Sequence, residues 1–236
     1  MKKVLIISLF IVTACPEFFG QYVFLKGNVN FFNMGKMKDF QDQLMAPFKE
    51  INVPIEAVES FPARPGWQIG FLYTPPGDSN VALGAFFDYA STGGRIHYQD
   101  YSGEVKVDQI VNAYSCGGIL NIRYKQWEFT RLDFVLSARV IFSSLKNKLF
   151  FQIGDQSDSQ ELDFKSTSIG IEPGANYSVF MNLFNINFGV SYLFNIPADL
   201  VYSENDEAYL TDQAGNKISL DWGGVKFGIS FGYGIN

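Results

Sequence analysis

The only histidine in the chain, His97, stands in Arg95-Ile96-His97-Tyr98 with Ser91, Asp100 and Ser102 close by in sequence. These are the residue types of a Ser-His-acid hydrolase. Such proximity is common in any polar segment, so the group reads as a solvated rim and no catalytic residue is assigned. Metal chemistry has little to work with. One histidine, and one cysteine once a leader is removed, exclude zinc clusters of the usual spacing. Two acidic runs carry no base: Asp155, Asp158, Glu161 and Asp163 within 154–163, and Asp199, Glu204, Asp206, Glu207 and Asp212 within 199–212. Both lack the glycine-punctuated spacing of a dedicated calcium loop and read as solvated acidic loops. No cofactor or metal site follows from these residues.

A second set of charges is more informative because of what surrounds it. Lys26, Arg123, Arg131, Arg139 and Lys226, with Asp88, Asp133 and Glu172, all fall on rows of Gly, Ser and Asn that alternate with large apolar residues. In a strand, side chains alternate between faces, so each such segment has one greasy side and one polar or empty side. Trp67-Gln68-Ile69-Gly70-Phe71, Ile186-Asn187-Phe188-Gly189-Val190 and Val225-Lys226-Phe227-Gly228-Ile229 are clear copies. Bulky aromatics oppose glycine and charge, the reverse of a soluble sandwich. The pattern predicts an all-β chain, an eight-stranded antiparallel up-and-down transmembrane β-barrel with its aromatics turned to lipid.

The expected strands are Tyr22 to Asn33, Gly66 to Thr74, Asn80 to Tyr89, Val105 to Tyr124, Trp127 to Ser143, Asp163 to Val179, Asn185 to Asn195 and Ile218 to Ile235. Pro173 suggests a local bulge. Connectors alternate long and short, starting with a long one, the order of extracellular loops and periplasmic turns when both termini are periplasmic. In the first long connector Met37, Phe40, Leu44 and Phe48 recur at helical spacing, so residues 36–51 form an amphipathic helix. It either caps the barrel mouth or rests on the loops, or else docks a protein partner, as the extracellular loops could, or touches the membrane surface. Pro54, Pro62 and Pro65 break regular structure after it. Trp67, Tyr73, Tyr89, Trp127 and Trp222 are expected as interfacial anchors. Eight strands leave room only for side chains, so the eight inward charges are expected to pair into a plug. The alternative is a narrow path for ions or small solutes with a mild anion preference.

Residues 1–20 read as a signal peptide, with Lys2 and Lys3 before an apolar run from Val4 to Val12 that is too short to span a bilayer. Val12-Thr13-Ala14 before Cys15 also fits a lipoprotein box, which would lipidate Cys15; Pro16 favours ordinary cleavage. Residues 21–236 then form one barrel domain. Removal of the leader leaves Cys116 alone, on the outward parity of its strand, with no disulfide possible. The net charge of −6 argues against nucleic acid as a partner.

The short signal, the eight strands, the alternation of glycine with aromatics and the closing Phe231-Gly232-Tyr233-Gly234-Ile235-Asn236 resemble small outer-membrane β-barrel proteins of the porin-family or PorT-like type in Bacteroidetes-type bacteria. The resemblance covers nearly all of the chain after the leader. It implies an outer-membrane location, contact with outer-membrane lipid and lipopolysaccharide, and no particular reaction. Many such barrels end on an aromatic residue, whereas this chain ends on Asn236, so Phe231 and Tyr233 would have to serve as the assembly signal.

Overall fold

The computed structural model describes residues 21–50, 53–76, 80–101, 103–181 and 183–235. The expected signal peptide, with Cys15, lies outside the described residues. Eight strands form a continuous antiparallel ladder: β1 (Gln21–Phe32), β3 (Arg64–Tyr73), β4 (Val81–Gln99), β5 (Gly103–Gln126), β6 (Thr130–Ile153), β7 (Gln156–Met181), β8 (Phe184–Ile196) and β13 (Gly224–Ile235). Each pairs with the next, and β13 pairs with both β8 and β1, so the pairing order returns to its start. Gln21 faces Ile235 across the first and last of them, which puts the two ends of the described chain at one end of the sheet, here called proximal.

The described residues contain thirteen strands, more than the eight expected. The additional five are short: β2 (Glu56–Ser60), β9 (Ala198–Asp199), β10 (Val201–Tyr202), β11 (Asn205–Tyr209) and β12 (Ser219–Leu220). Four lie in the two long connectors expected after the first and seventh strands, and β12 falls within the expected last strand. Beyond Tyr89, β2 replaces β3 as the partner of β4, while β10 extends the sheet from β7 and carries β11. Proline therefore does not break the first connector throughout; Pro65 lies within β3, opposite Val29.

The expected acidic loop at 145–162 is also strand. The β6–β7 ladder runs without a register shift from Thr130–Val179 to Ile153–Gln156 and turns on Gly154, whose φ of 58° suits glycine. Two of its acids are on the outward side of an alternating strand: Glu161 and Asp163 meet Lys146, and Glu161 also meets Lys148. Leu145, Leu149, Leu162 and Phe164 turn the other way. Pro173 makes no bulge. Its register opposite Leu136 is regular, and the ladder to β8 skips Glu172 and Pro173 with the same register on both sides, Ile171–Phe194 and Gly174–Ser191.

Helix α1 (Gly35–Glu50) follows β1 through Met34, which is fully buried with a φ of 47°. Left-handed methionine is uncommon, and burial under the helix holds it. Met37, Gln41 and Met45 are the buried row, with Phe40, Leu44 and Phe48 beside it. The buried face is thus rotated from the purely apolar one expected, because the Gln41 amide donates to the Glu59 carbonyl of β2 at 2.8 Å.

Three apolar clusters fill the inward side, one of them Met45, Ile55, Ile96 and Val107 beneath the helix. Phe24, Leu72, Ala82 and Phe86 sit toward the proximal end. Toward the distal end, Met34, Met37, Phe61, Ile141, Leu193, Leu200, Ile218, Leu220 and Trp222 gather under α1 and the last connector. The outward side is the opposite of a soluble surface: Phe134, Ile171 and Phe231 are 52%, 55% and 61% exposed.

Candidate functional site

Between the Phe24–Phe86 cluster and the cluster around Trp222 lies a layer of charge. Asp88 of β4 follows Phe86 by one inward step, and Arg139 of β6 precedes Ile141 by one. Arg139 donates to Asp88 Oδ2 at 3.3 Å, to Ser137 Oγ at 3.4 Å and to Glu172 Oε2. From β13, Lys226 Nζ lies 3.2 Å from Glu172 Oε2 and 3.8 Å from Asp88 Oδ2. Ser191 of β8 donates to the second Glu172 oxygen at 2.7 Å. Strands from around the sheet thus converge on two carboxylates and two cations, all at most 6% exposed. An unpaired ion here would be heavily penalised, whereas each of these finds two partners of opposite sign. The Arg139 guanidinium also stacks on Phe86, 4.7 Å from the ring centre, which ties the charge layer to the proximal cluster.

Lys26 of β1 belongs to the same layer; Glu172, Lys226, Asp88 and Arg139 are the charged groups around it. Glycines make room for it. A Cβ on Gly228 would lie 2.3 Å from Lys26 Cε, and one on Gly189 would lie 3.6 Å from its Nζ. The remaining three expected charges form a separate proximal group. Arg131 Nε donates to Asp133 at 2.7 Å, Arg123 is the register partner of Asp133, and Arg131 packs over Phe180 at 4.9 Å. The eight residues read from sequence as one network are therefore two clusters, with Phe24, Leu72 and Phe86 nearby as an apolar cluster.

Of the aromatic residues expected as anchors, Trp67 and Tyr89 form an outward stack with Tyr114; the Trp67–Tyr89 and Tyr89–Tyr114 ring centres are 6.1 and 5.1 Å apart, and the Tyr89 hydroxyl donates to Asn112 at 2.9 Å. Tyr73 and Trp127 lie toward the proximal end, Trp127 with the Lys125 ammonium 5.1 Å from its ring centre. Trp222 is a correction. It is 1% exposed, packs edge-on against Phe32 at 4.8 Å and donates its indole N–H to Ser143 Oγ at 2.8 Å inside the distal cluster. Its parity, shared with Lys226 and Gly228, already indicated the inward side. The last wall strand starts later than expected, at Gly224, whose φ of 151° and approach to the Phe31 carbonyl admit no side chain.

His97 Nε2 lies 3.0 Å from Glu104 on the outward face of the distal sheet. Ser91 lies six residues down the same strand, roughly 20 Å away at ~3.3 Å per residue, and Ser102 falls outside the described residues. Distal to Phe142 and Ile169 the outward row becomes charged: Arg95 with Asp108, Lys106 with Asp108, Lys146 and Lys148 with Glu161, and Lys165 with Asp206. Cys116 is exposed on the apolar part of that face, as its parity predicts.

No protein-family model and no curated protein matches this chain. Its fold is similar to that of a major outer membrane protein from Thermus thermophilus, with a TM-score of 0.50 at 10% identity over 91% of this chain and 99% of the other. Ail, the attachment invasion locus protein of Yersinia pestis, aligns over 91% of this chain and 97% of its own at a TM-score of 0.35 and 13% identity. At such identities the likeness concerns fold alone.

Proposed function

We propose that the chain is a non-enzymatic outer-membrane protein: a closed eight-stranded barrel whose lumen is plugged by its own side chains and whose distal sheet and helix serve as a structural or interaction surface. One observation carries this reading. The outward row is apolar and exposed over a limited height, while polar and charged groups are enclosed. From Leu132 to Phe142 the row spans ten residues, and at ~3.3 Å per residue with a tilt of ~40° that is about 25 Å, the height of the apolar band of outer-membrane barrels. A ladder that returns to its start also bonds its backbone groups internally, as a membrane requires. The fold likeness to the Thermus protein supports the same location. The signal peptide at 1–20, the periplasmic termini, a girdle that includes Trp67, Tyr73, Tyr89 and Trp127, contact with lipopolysaccharide and kinship with PorT-like barrels belong to this reading as well.

The alternative is a small porin-like channel, favoured by the five inward bases against three acids. The plug is preferred because the charge layer is bridged across several strands and backed by apolar clusters. Reconstitution of the purified protein into planar bilayers tests it: a plugged barrel gives no stable open level. Steady conductance with anion preference would replace this reading by the channel.

A further inference from the structure

We infer that the lumen holds one small monovalent anion, of the size of chloride, beside Lys26. The inference rests on the plugged barrel proposed above. The charge layer contains three cations, Lys26, Arg139 and Lys226, and two carboxylates, Asp88 and Glu172. Both carboxylates are already committed to Arg139 and Lys226. Among the described residues no carboxylate lies within 4.0 Å of Lys26 Nζ, so the layer holds one base more than it holds acids. In a space enclosed by apolar clusters, a lysine keeps its proton only beside a counter-ion.

The surroundings of Lys26 are built to receive one. Its register neighbours are Gln68 on β3 and Ser230 on β13, which places an ammonium, an amide and a hydroxyl side by side on three adjacent strands. Ser230 Oγ accepts a hydrogen bond from Asn187 Nδ2 at 2.8 Å, which leaves its own proton to donate. Lys26, Gln68 and Ser230 line a cavity of about 40 Å³. One water needs roughly 10–15 Å³ of such space, so a halide fits with room for a water beside it. Glu172 borders the same cavity, but its oxygens are turned into bonds with Arg139, Lys226 and Ser191. Gly228 and Gly189 keep the wall bare where Lys26 must lie.

Bromide is the probe. The intact protein, refolded into detergent in sodium bromide and crystallised, is expected to show one anomalous peak within hydrogen-bond reach of Lys26 Nζ. Lys26→Met should lose the peak and Lys26→Arg should keep it. In solution, the wild type should melt about 2–4 °C higher in chloride than in gluconate at equal ionic strength, the shift that ~1 kcal/mol produces in a chain of this size, and Lys26→Met should show no difference. A plugged lumen without a bromide peak, or a chloride effect retained in Lys26→Met, overturns the anion site alone. Bromide distributed along an open lumen overturns the plug as well.

Discussion

At the residue scale, the inward polar groups act as a set whose members are not equivalent. Glu172 joins Arg139, Lys226 and Ser191, whereas Asp88 reaches the two cations only at 3.3 and 3.8 Å. Loss of one partner from a buried ion pair costs about 3–5 kcal/mol. Glu172→Gln is therefore expected to destabilise by that amount and Asp88→Asn by less, as read from urea-induced unfolding in detergent. Adjacent glycines give a cleaner contrast. A Cβ on Gly117 would stand 2.0 Å from the Ala138 carbonyl oxygen, while one on Gly118, on the opposite face, meets nothing closer than 3.8 Å. Gly117→Ala should lower the unfolding midpoint; Gly118→Ala should leave it unchanged or raise it by up to ~1 kcal/mol through the unfolded chain. Equal effects at the two positions would contradict the face assignment.

At the element scale, β6 and β7 each cross two environments. Phe134 lies in the apolar outward row and Ser157 in the charged distal extension. Arginine in a lipid-facing row costs about 2–4 kcal/mol near the midplane, so Leu136→Arg, in the middle of the Leu132–Phe142 row, should sharply reduce the folded fraction in vesicles, while Ser157→Arg should stay within ~0.5 kcal/mol. The extension itself is sensitive to acid. Lys146, through its hydrogen bond, holds the exposed Glu161 carboxyl below its ordinary value of 4.5, and Glu161 in turn raises the Lys146 ammonium. A depressed carboxyl pKa contributes stability in full above the unfolded value and loses it as pH falls through the folded one. Amide exchange in the 146–161 hairpin, corrected for the intrinsic pH dependence of exchange, should thus be flat between about pH 5 and 8 and accelerate below the ordinary carboxyl value of 4.5. Acceleration already near neutrality would point to another group.

At the scale of the whole molecule, the three tryptophans report on different environments. Trp67 is on the outward face, Trp127 is exposed in the turn between β5 and β6, and Trp222 is enclosed beneath the cap. In variants that keep a single tryptophan, brominated lipid should quench Trp67 and Trp127 strongly and leave Trp222 at the level seen in unmodified lipid. Quenching of Trp222 would mean that the last connector does not pack on the inward side of the sheet. The arrangement also explains why α1 carries a buried amide: the helix closes the distal end by packing against Phe61, Ile96 and Val107, and Gln41 satisfies a carbonyl of the adjoining β2 edge.

Which side chains face out and which face in is legible from the chain alone, since period-two alternation is a property of any strand and survives every change of register by two. Phe134, Phe188 and Phe227 outward, with Asp88, Arg139 and Lys226 inward, follow from parity. The limits of β6 and β7 were not readable, because a strand whose outer row turns from apolar to charged exchanges phenylalanine for Lys146 and Glu161, and charged alternation resembles a loop when neighbouring strands are unknown. The grouping of the eight charges, the capture of Trp222 and the short strands of the last connector depend on which residues of distant segments meet at one height. Strand tilt and register alone decide that, and both are set by pairing across the whole sheet.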